Sequence, residues 1–271
     1  MLSEIVVGRT TAPGSTLTQL TACTGNSYTV RDFKSGKARI VDLWLKSQNS
    51  AGGTFRVRTT KTEPIQGLRP TALQNTPLPL IPTWQGQPMY ANDTIYAEVA
   101  GSSTAGDIEI GGMIIAYDTL TGVTQAPQFN LSDLQAIRKA NPSLIVETLT
   151  LTLSLGTSGD YTGEAALSTS TNQLFNNTRY ALLGYSLDAT CGAIRLRSNT
   201  DFGPLGIGGP GTTRVDITKD YFVNLNVQYG VPIPTFNTIN LPNILVDGVQ
   251  DENGTDATVV FYVVNLDQPK A

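Results

Sequence analysis

The 271-residue chain contains no histidine. That removes Ser-His-Asp and Cys-His nucleophilic catalysis, histidine-bearing zinc sites and the commonest general base near neutral pH. Cysteine is nearly absent: Cys23 and Cys191 are the two, and neither has a partner at the spacing of a metal knuckle or a redox pair. Both are expected to be reduced, semi-buried residues of a protein made in a cytoplasm. Charged residues make up only 15%, where about a quarter is usual in soluble domains. The Lys and Arg are scattered, whereas a nucleic-acid binder clusters them to neutralise phosphates, so no direct nucleic-acid partner is expected. No stretch approaches the ~18 apolar residues of a membrane span. The opening Met1-Leu2-Ser3-Glu4-Ile5-Val6-Val7 has neither a basic leader nor a long apolar run and reads as a first strand. Walker loop, dinucleotide fingerprint and Cys-x-x-Cys are missing as well. No catalytic residue, cofactor site or cofactor is assigned, and the chain is not expected to be an enzyme.

What is there is Thr, Ser, Asn, Gln and Gly between short apolar stretches. Residues 147–155 read Glu-Thr-Leu-Thr-Leu-Thr-Leu-Ser-Leu, a period of two that buries one face and leaves a hydroxyl-bearing one outside. Residues 39–45, 180–187, 214–217 and 221–227 also read as strands. Turn signals such as Pro13-Gly14, Gly52-Gly53 and Asn253-Gly254 recur about every ten residues. Short strands at that spacing imply sandwiches or barrels, with Leu151 and Val260 as core residues. Gly206 to Gly211 is glycine-rich but lacks the Lys-Ser/Thr of a phosphate cradle, and reads as a loop between strands.

The two halves repeat one another. Thr54-Phe55-Arg56-Val57-Arg58-Thr59 matches Ala193-Ile194-Arg195-Leu196-Arg197-Ser198, each with two arginines on one face and two apolar side chains on the other. Leu80-Ile81-Pro82-Thr83-Trp84 matches Pro232-Ile233-Pro234-Thr235-Phe236, and residues 95–99 match 244–247, which sets Glu98 against Asp247. Each half closes on an apolar strand, 108–117 and 257–266. Four blocks in one order indicate a duplication with units at 1–120 and 144–271, joined by a linker at 121–143. Within it, Leu131, Leu134 and Ile137 lie at helical spacing, Asn130 or Ser132 can cap, and Asn141-Pro142 stops the helix.

The repeated arginines, Arg56, Arg58, Arg195 and Arg197, are the candidate subunit-interface residues. They would pair with acids such as Asp42, Glu98 or Asp188 on a neighbour; solvated strand faces are the plainer alternative. The acidic stretch near the C-terminus offers oxygens for Ca²⁺, with Asp251 and Asp256 as weak metal candidates. It lacks EF-hand spacing, and Asn253-Gly254 is an ordinary turn, so no metal is assigned. Trp44, Trp84 and Tyr90, beside a proline-rich loop, would suit sugar stacking. They support an alternative, a phage receptor-binding or carbohydrate-binding double β-sandwich. A carboxylate-dependent glycoside-active enzyme is the third option.

Two tandem Thr-rich sandwiches with a short helical linker resemble the double jelly-roll major capsid proteins of tailless icosahedral viruses, above all the compact ones of membrane-containing bacteriophages. The resemblance rests on the Phe55-Arg56-Val57-Arg58 and Ile194-Arg195-Leu196-Arg197 pair, the Ile-Pro-Thr-aromatic pair and the closing strands. It implies an all-β fold of two jelly-roll β-sandwiches and a homotrimer acting as a pseudo-hexameric tile in the virion capsid. Vertex proteins and an underlying viral membrane would be partners, with assembly in the host cytoplasm. Many such proteins begin with a helix or basic segment that faces the membrane; here the linker helix near Leu134 and Ile137 is the alternative candidate.

Overall fold

The computed structural model describes residues 1–61, 67–69, 71–72, 74–77, 87–123, 128–167 and 174–267. Its first half carries β1 (Leu2–Thr11), β2 (Thr18–Gln19), β3 (Thr21–Ala22), β4 (Ala38–Lys46), β5 (Gly53–Thr59), β6 (Thr71–Ala72), β7 (Gln87–Met89), β8 (Ile95–Ala100) and β9 (Ile108–Tyr117). The second carries β10 (Val146–Leu153), β11 (Tyr161–Ala166), β12 (Arg179–Leu187), β13 (Ala193–Ser198), β14 (Gly203–Pro210), β15 (Thr235–Asn237), β16 (Leu245–Val249) and β17 (Ala257–Asn265). Three α-helices accompany them among the described residues: α1 (Leu131–Ala140), α2 (Val215–Thr218) and α3 (Tyr221–Tyr229).

The strands form four antiparallel sheets, β3-β1-β9-β4-β7 facing β2-β8-β5-β6, and β10-β17-β12-β15 facing β11-β16-β13-β14. With the small β3 set aside, both halves have the same order: first, eighth, third and sixth strands in one sheet, second, seventh, fourth and fifth in the other. That is the jelly-roll arrangement of eight strands in two sheets, and the chain is two jelly-roll β-sandwiches in tandem. Three of the repeated blocks occupy matching strands, β5 with β13, β8 with β16 and β9 with β17. Residues 80–84, the first copy of the fourth block, lie outside the described residues; β7 fills the sheet position that β15 fills in the second half.

Side-chain pattern decides which sheets are covered. In β10 the leucines at 149, 151 and 153 point inward while Thr148, Thr150 and Thr152 are exposed. β9 reads Ile-Glu-Ile-Gly-Gly-Met-Ile-Ile-Ala-Tyr without alternation, and all ten residues are buried, as a strand covered on both faces requires. Met113, Ile115 and Tyr117 of β9 meet Val6, Leu43, Leu45, Phe55, Val57 and Val99 inside the first sandwich. On its other face Ile110, Ile114 and Ala116 join Ile5, Val7, Val41 and Trp44 in an apolar cluster continuous with the core of the second sandwich.

Several sequence expectations are corrected. Residues 214–217 and 221–227 are not strands: 215–218 is α2 and 221–229 is α3. Tyr221, Phe222, Leu225 and Tyr229 are the buried positions of α3, a helical spacing, and Gly230 ends it with φ 70°. The β-forming Tyr, Phe and Val of that segment had outweighed its period. The two helices pack against β12, the end of α2 over its outer face and the start of α3 against its core side. A Cβ on Gly184 would meet the Thr218 carbonyl, and Tyr185 packs its ring against Tyr221 and Phe222 at centroid distances of 5.8 and 6.2 Å. Gly206 to Gly211 is no loop, since β14 runs to Pro210 and pairs with β13. A Cβ on Gly208 would fall 2.9 Å from Ile5 of β1, so glycine here permits close approach of the first sandwich. Val260 faces outward and is half-buried, whereas Val259, Phe261 and Val263 point into the core. Apolar residues on both faces of β17 had hidden the parity. The linker helix α1 starts at Asn130, whose N–H donates to Asp133 Oδ2 at 2.8 Å. It is held to α3 by Asn226, whose Oδ1 accepts from Leu131 N at 2.9 Å.

An unpaired carboxylate in a sandwich core costs several kcal/mol. Leu151→Asp and Val259→Asp are therefore expected to abolish the cooperative thermal transition followed by circular dichroism, and Val260→Asp to retain it. Equal loss in both valine variants would refute the assigned strand faces.

Candidate functional site

The repeated arginines sit in two copies of one device. Arg56 on β5 stands directly opposite Glu98 on β8, and Arg195 on β13 directly opposite Asp247 on β16. Glu98 Oε2 accepts from Arg56 Nε at 2.7 Å and from Arg58 Nε at 3.1 Å. Asp247 accepts from Arg195 Nε and Nη2 at 3.0 and 2.8 Å, and Arg197 Nη2 lies 3.1 Å from it. In each copy two arginines, two residues apart, thus clip onto one acid across the sheet. A glycine completes the clip. Gly67 (φ 63°) and Gly206 (φ 71°) each follow the first arginine by 11 residues. A Cβ there would press on the arginine stems and on the Val57 or Leu196 carbonyl. The left-handed backbone and the absent side chain both demand glycine. Burial opposes ionisation of Glu98, but the hydrogen bonds from Arg56 and Arg58 outweigh it and hold its carboxyl below the ordinary glutamate range.

The charges proposed for pairing between subunits therefore find partners within the chain. So do Asp42, which accepts from Tyr221 Oη at 2.5 Å, and Asp188, which accepts from Thr258 N at 2.7 Å. The copies differ in their surroundings. The Arg195 side chain is 7% exposed and those of Arg56 and Arg58 are 19% and 24%. The second clip is covered on two sides: Arg195 lies over the ring of Tyr161 in its own sandwich at 3.4 Å, and its Nη1 donates to the Thr24 carbonyl of the first sandwich at 3.2 Å. Thr24 in turn donates to Asp160 through N and Oγ1 at 2.8 and 2.9 Å. A cleft of about 420 Å³ remains there, lined among others by Gly25, Arg31, Tyr161, Glu164 and Arg197; Arg197 also pairs with Glu164.

Further along the seam between the sandwiches, Trp44 is fully buried and its Nε1 donates to the Gly192 carbonyl at 2.8 Å. The indole also lies where a Cβ on Gly112 of the adjacent strand would stand. Trp44 is thus unavailable for sugar stacking; Trp84 lies outside the described residues, and Tyr90 is exposed with Lys61 Nζ 5.6 Å from its ring centroid. Lys46 Nζ reaches Asp251 Oδ2 and Gln250 Oε1, both at 2.7 Å, with the lysine and aspartate side chains 4% and 0% exposed. Gln48 also donates to Asp251. Of the two metal candidates, Asp251 is thereby turned inward onto a cation and Asp256 is exposed. The described residues hold no group of three His, Cys, Asp or Glu side chains placed to bind a metal. Cys23 and Cys191 are free and buried at the same seam, which pushes both thiols up to about 12 and makes them inert.

The sequence had shown the arginines and named Glu98 among their acids, but on a neighbouring subunit; it had set Asp247 level with Glu98 without pairing it, and had missed the glycines and the Lys46–Asp251 pair. The equal 11-residue separation was the available signal for the glycines.

Glu109 is buried beside this seam. Its Oε1 accepts from Ser102 N at 2.8 Å and Gln48 N at 3.2 Å, while Oε2 has no hydrogen-bond partner among the described residues. Burial raises its pKa.

No protein-family model matches the chain, and no curated protein matches it. Among solved structures, it is similar to the PBSX exported protein XepA at 7% identity and a TM-score of 0.28, covering 97% of this chain and 86% of that one. It is similar to the STIV MCP at 9% identity and a TM-score of 0.21, covering 96% of each chain. A third, from the atomic structure of Sulfolobus Turreted Icosahedral Virus, has 8% identity and a TM-score of 0.22 over 98% of this chain and 91% of that one. At these scores the fold assignment stands on strand order, not on the likeness.

Two predictions follow from the buried charges. Lys46→Ala, which strands Asp251, is expected to cost about 3–5 kcal/mol in denaturant unfolding, and Lys46→Met with Asp251→Leu to recover most of it. A raised carboxyl pKa in the fold destabilises it once the pH exceeds the unfolded value, and the effect vanishes below that value. Glu109→Gln is accordingly expected to melt higher than the parent at pH 7 and alike at about pH 4; equal melting at both would remove the case for a strained carboxylate.

Proposed function

We propose that this protein is a viral major capsid protein that works by self-assembly and not by catalysis. The observation that carries the proposal is the duplicated jelly roll with a shared interior. Two sandwiches of identical strand order are fused through a sheet buried on both faces, giving a rigid block with two similar outer surfaces. Such a block suits a tile in which three copies present six similar rolls. We take residues 1–120 and 144–271 as the rolls and 121–143 as their connection. The Thr- and Ser-rich outer strands add little electrostatic cost when copies pack together. In the finer reading the tiles form the icosahedral shell of a membrane-containing bacteriophage, with vertex proteins and an underlying membrane as neighbours, assembled in the host cytoplasm. The half-buried apolar side of α1 would then be the membrane-facing element. The burial of Trp44 removes much of the aromatic support for a carbohydrate-binding module.

Sedimentation velocity and negative-stain microscopy of the purified protein are expected to show a homotrimer and, at high concentration, larger arrays. A monomer at every concentration and salt would overturn the assignment.

A further inference from the structure

At the seam the first sandwich reaches into the second through the last residue of β4. Lys46 Nζ lies 2.7 Å from Asp251 Oδ2, and both side chains are closed to solvent. A buried ion pair needs no more than that contact and its hydrogen bonds. Here each reacting atom is also held in a fixed direction. Asp251 Oδ1 accepts from Asn253 N at 3.0 Å and from Asn253 Nδ2 at 3.2 Å. Oδ2 accepts from Gln48 Nε2 beside the lysine. Nζ donates to Gln250 Oε1 at 2.7 Å. The Gln250 amide is itself pinned, because its Nε2 donates to the Thr190 and Thr255 carbonyls at 3.2 and 3.4 Å. Lys46 stands opposite Ile110 in the sheet, and the buried Cys191 lies close enough to feel both charges of the pair.

We propose that Lys46 and Asp251 condense to an isopeptide bond, which joins the two sandwiches covalently. The charged pair is the reactant. Nζ passes one proton to Oδ2, which it already touches, and its freed electron pair attacks Cγ. Negative charge then builds on Oδ1, where the two N–H groups of Asn253 already point. The Nζ–Cγ bond forms and the Cγ–Oδ2 bond breaks. Oδ2 keeps the bonding electrons, takes a second proton from Nζ and departs as water. One ammonium and one carboxylate thus give one amide and one water, with no oxidant, reductant or further reactant. Fixing the amine against the carboxyl group replaces a bimolecular encounter. The dry surroundings keep water from reversing the step. The bond would tie residues some 200 positions apart in the chain. It does not depend on the capsid proposal. The unfolding loss expected for Lys46→Ala is that of a chain that has not yet condensed.

The test is the mass of the full chain, denatured after incubation at neutral pH. Wild type is expected to weigh one water less than its sequence, and a digest to contain a branched peptide joining residues 46 and 251. Lys46→Arg keeps a cation against Asp251 but offers no nucleophilic amine. It is expected to retain a cooperative thermal transition and the full mass. Asn253→Ala removes one of the two donors on Oδ1 and is expected to link at least about tenfold more slowly. A wild-type chain that keeps its full mass after prolonged incubation would overturn the proposal. So would a water loss that persists in Lys46→Arg, which would mark a cyclic imide elsewhere. Equal linking rates in Asn253→Ala and wild type would overturn the role given to Asn253.

Discussion

The sheet β3-β1-β9-β4-β7 has to be dry on both sides, and the rest of the molecule follows from that requirement. A strand such as β9, apolar at nearly every position, cannot leave one face in water without exposing Ile110 and Ile114. Its inner face is satisfied by the first sandwich. Its outer face is satisfied only when the second sandwich comes up against it, with Trp44 across the join. Burying this much apolar surface dominates any gain from the polar contacts around it. The polar contacts instead fix position. Lys46 with Asp251, Arg195 with Thr24 and Tyr221 with Asp42 each leave a costly unsatisfied group if the sandwiches shift.

Much of the architecture was legible in the residues. The period of two in 147–155 gave β10 its inner and outer faces. The Arg-x-Arg strands and the closing strands located the duplication. What escaped was decided by tertiary contact. Residues 221–229 are rich in β-formers, yet fold as a helix because Tyr221, Phe222 and Leu225 reach the ring of Tyr185 and its surroundings only from one side of a helix. Val260 and Val259 are chemically alike, and only the register of β17 against β10 separates them. The glycines of β14 read as a loop because what crowds them comes from other elements: the clip arginines at Gly206, Ile5 at Gly208, some 200 residues away in the chain, and Tyr185 and Tyr221 at Gly209.

The clips explain why the arginines repeat. A strand-borne arginine opposite a carboxylate gains a charge-assisted hydrogen bond in a fixed planar geometry, and a second arginine two residues on shares the same acid from the same face. Both acids are buried, Glu98 at 9% and Asp247 at 3% exposure, so loss of the arginines strands a charge in either clip. One device inherited twice thus stays within a single sandwich around Glu98 and also meets the other sandwich around Asp247.

The spacing inside the clip also limits where the chain can grow. From the first arginine to the glycine the count is the same in both copies, because a residue added there would push a side chain into the backbone turn beside the arginine stems. From the glycine to the acid the second copy is longer, and that stretch holds α2 and α3. Length has been gained only between clip members that do not touch, and there it added a helical shield over β12. Foreign segments grafted onto this scaffold belong in that interval, not ahead of it.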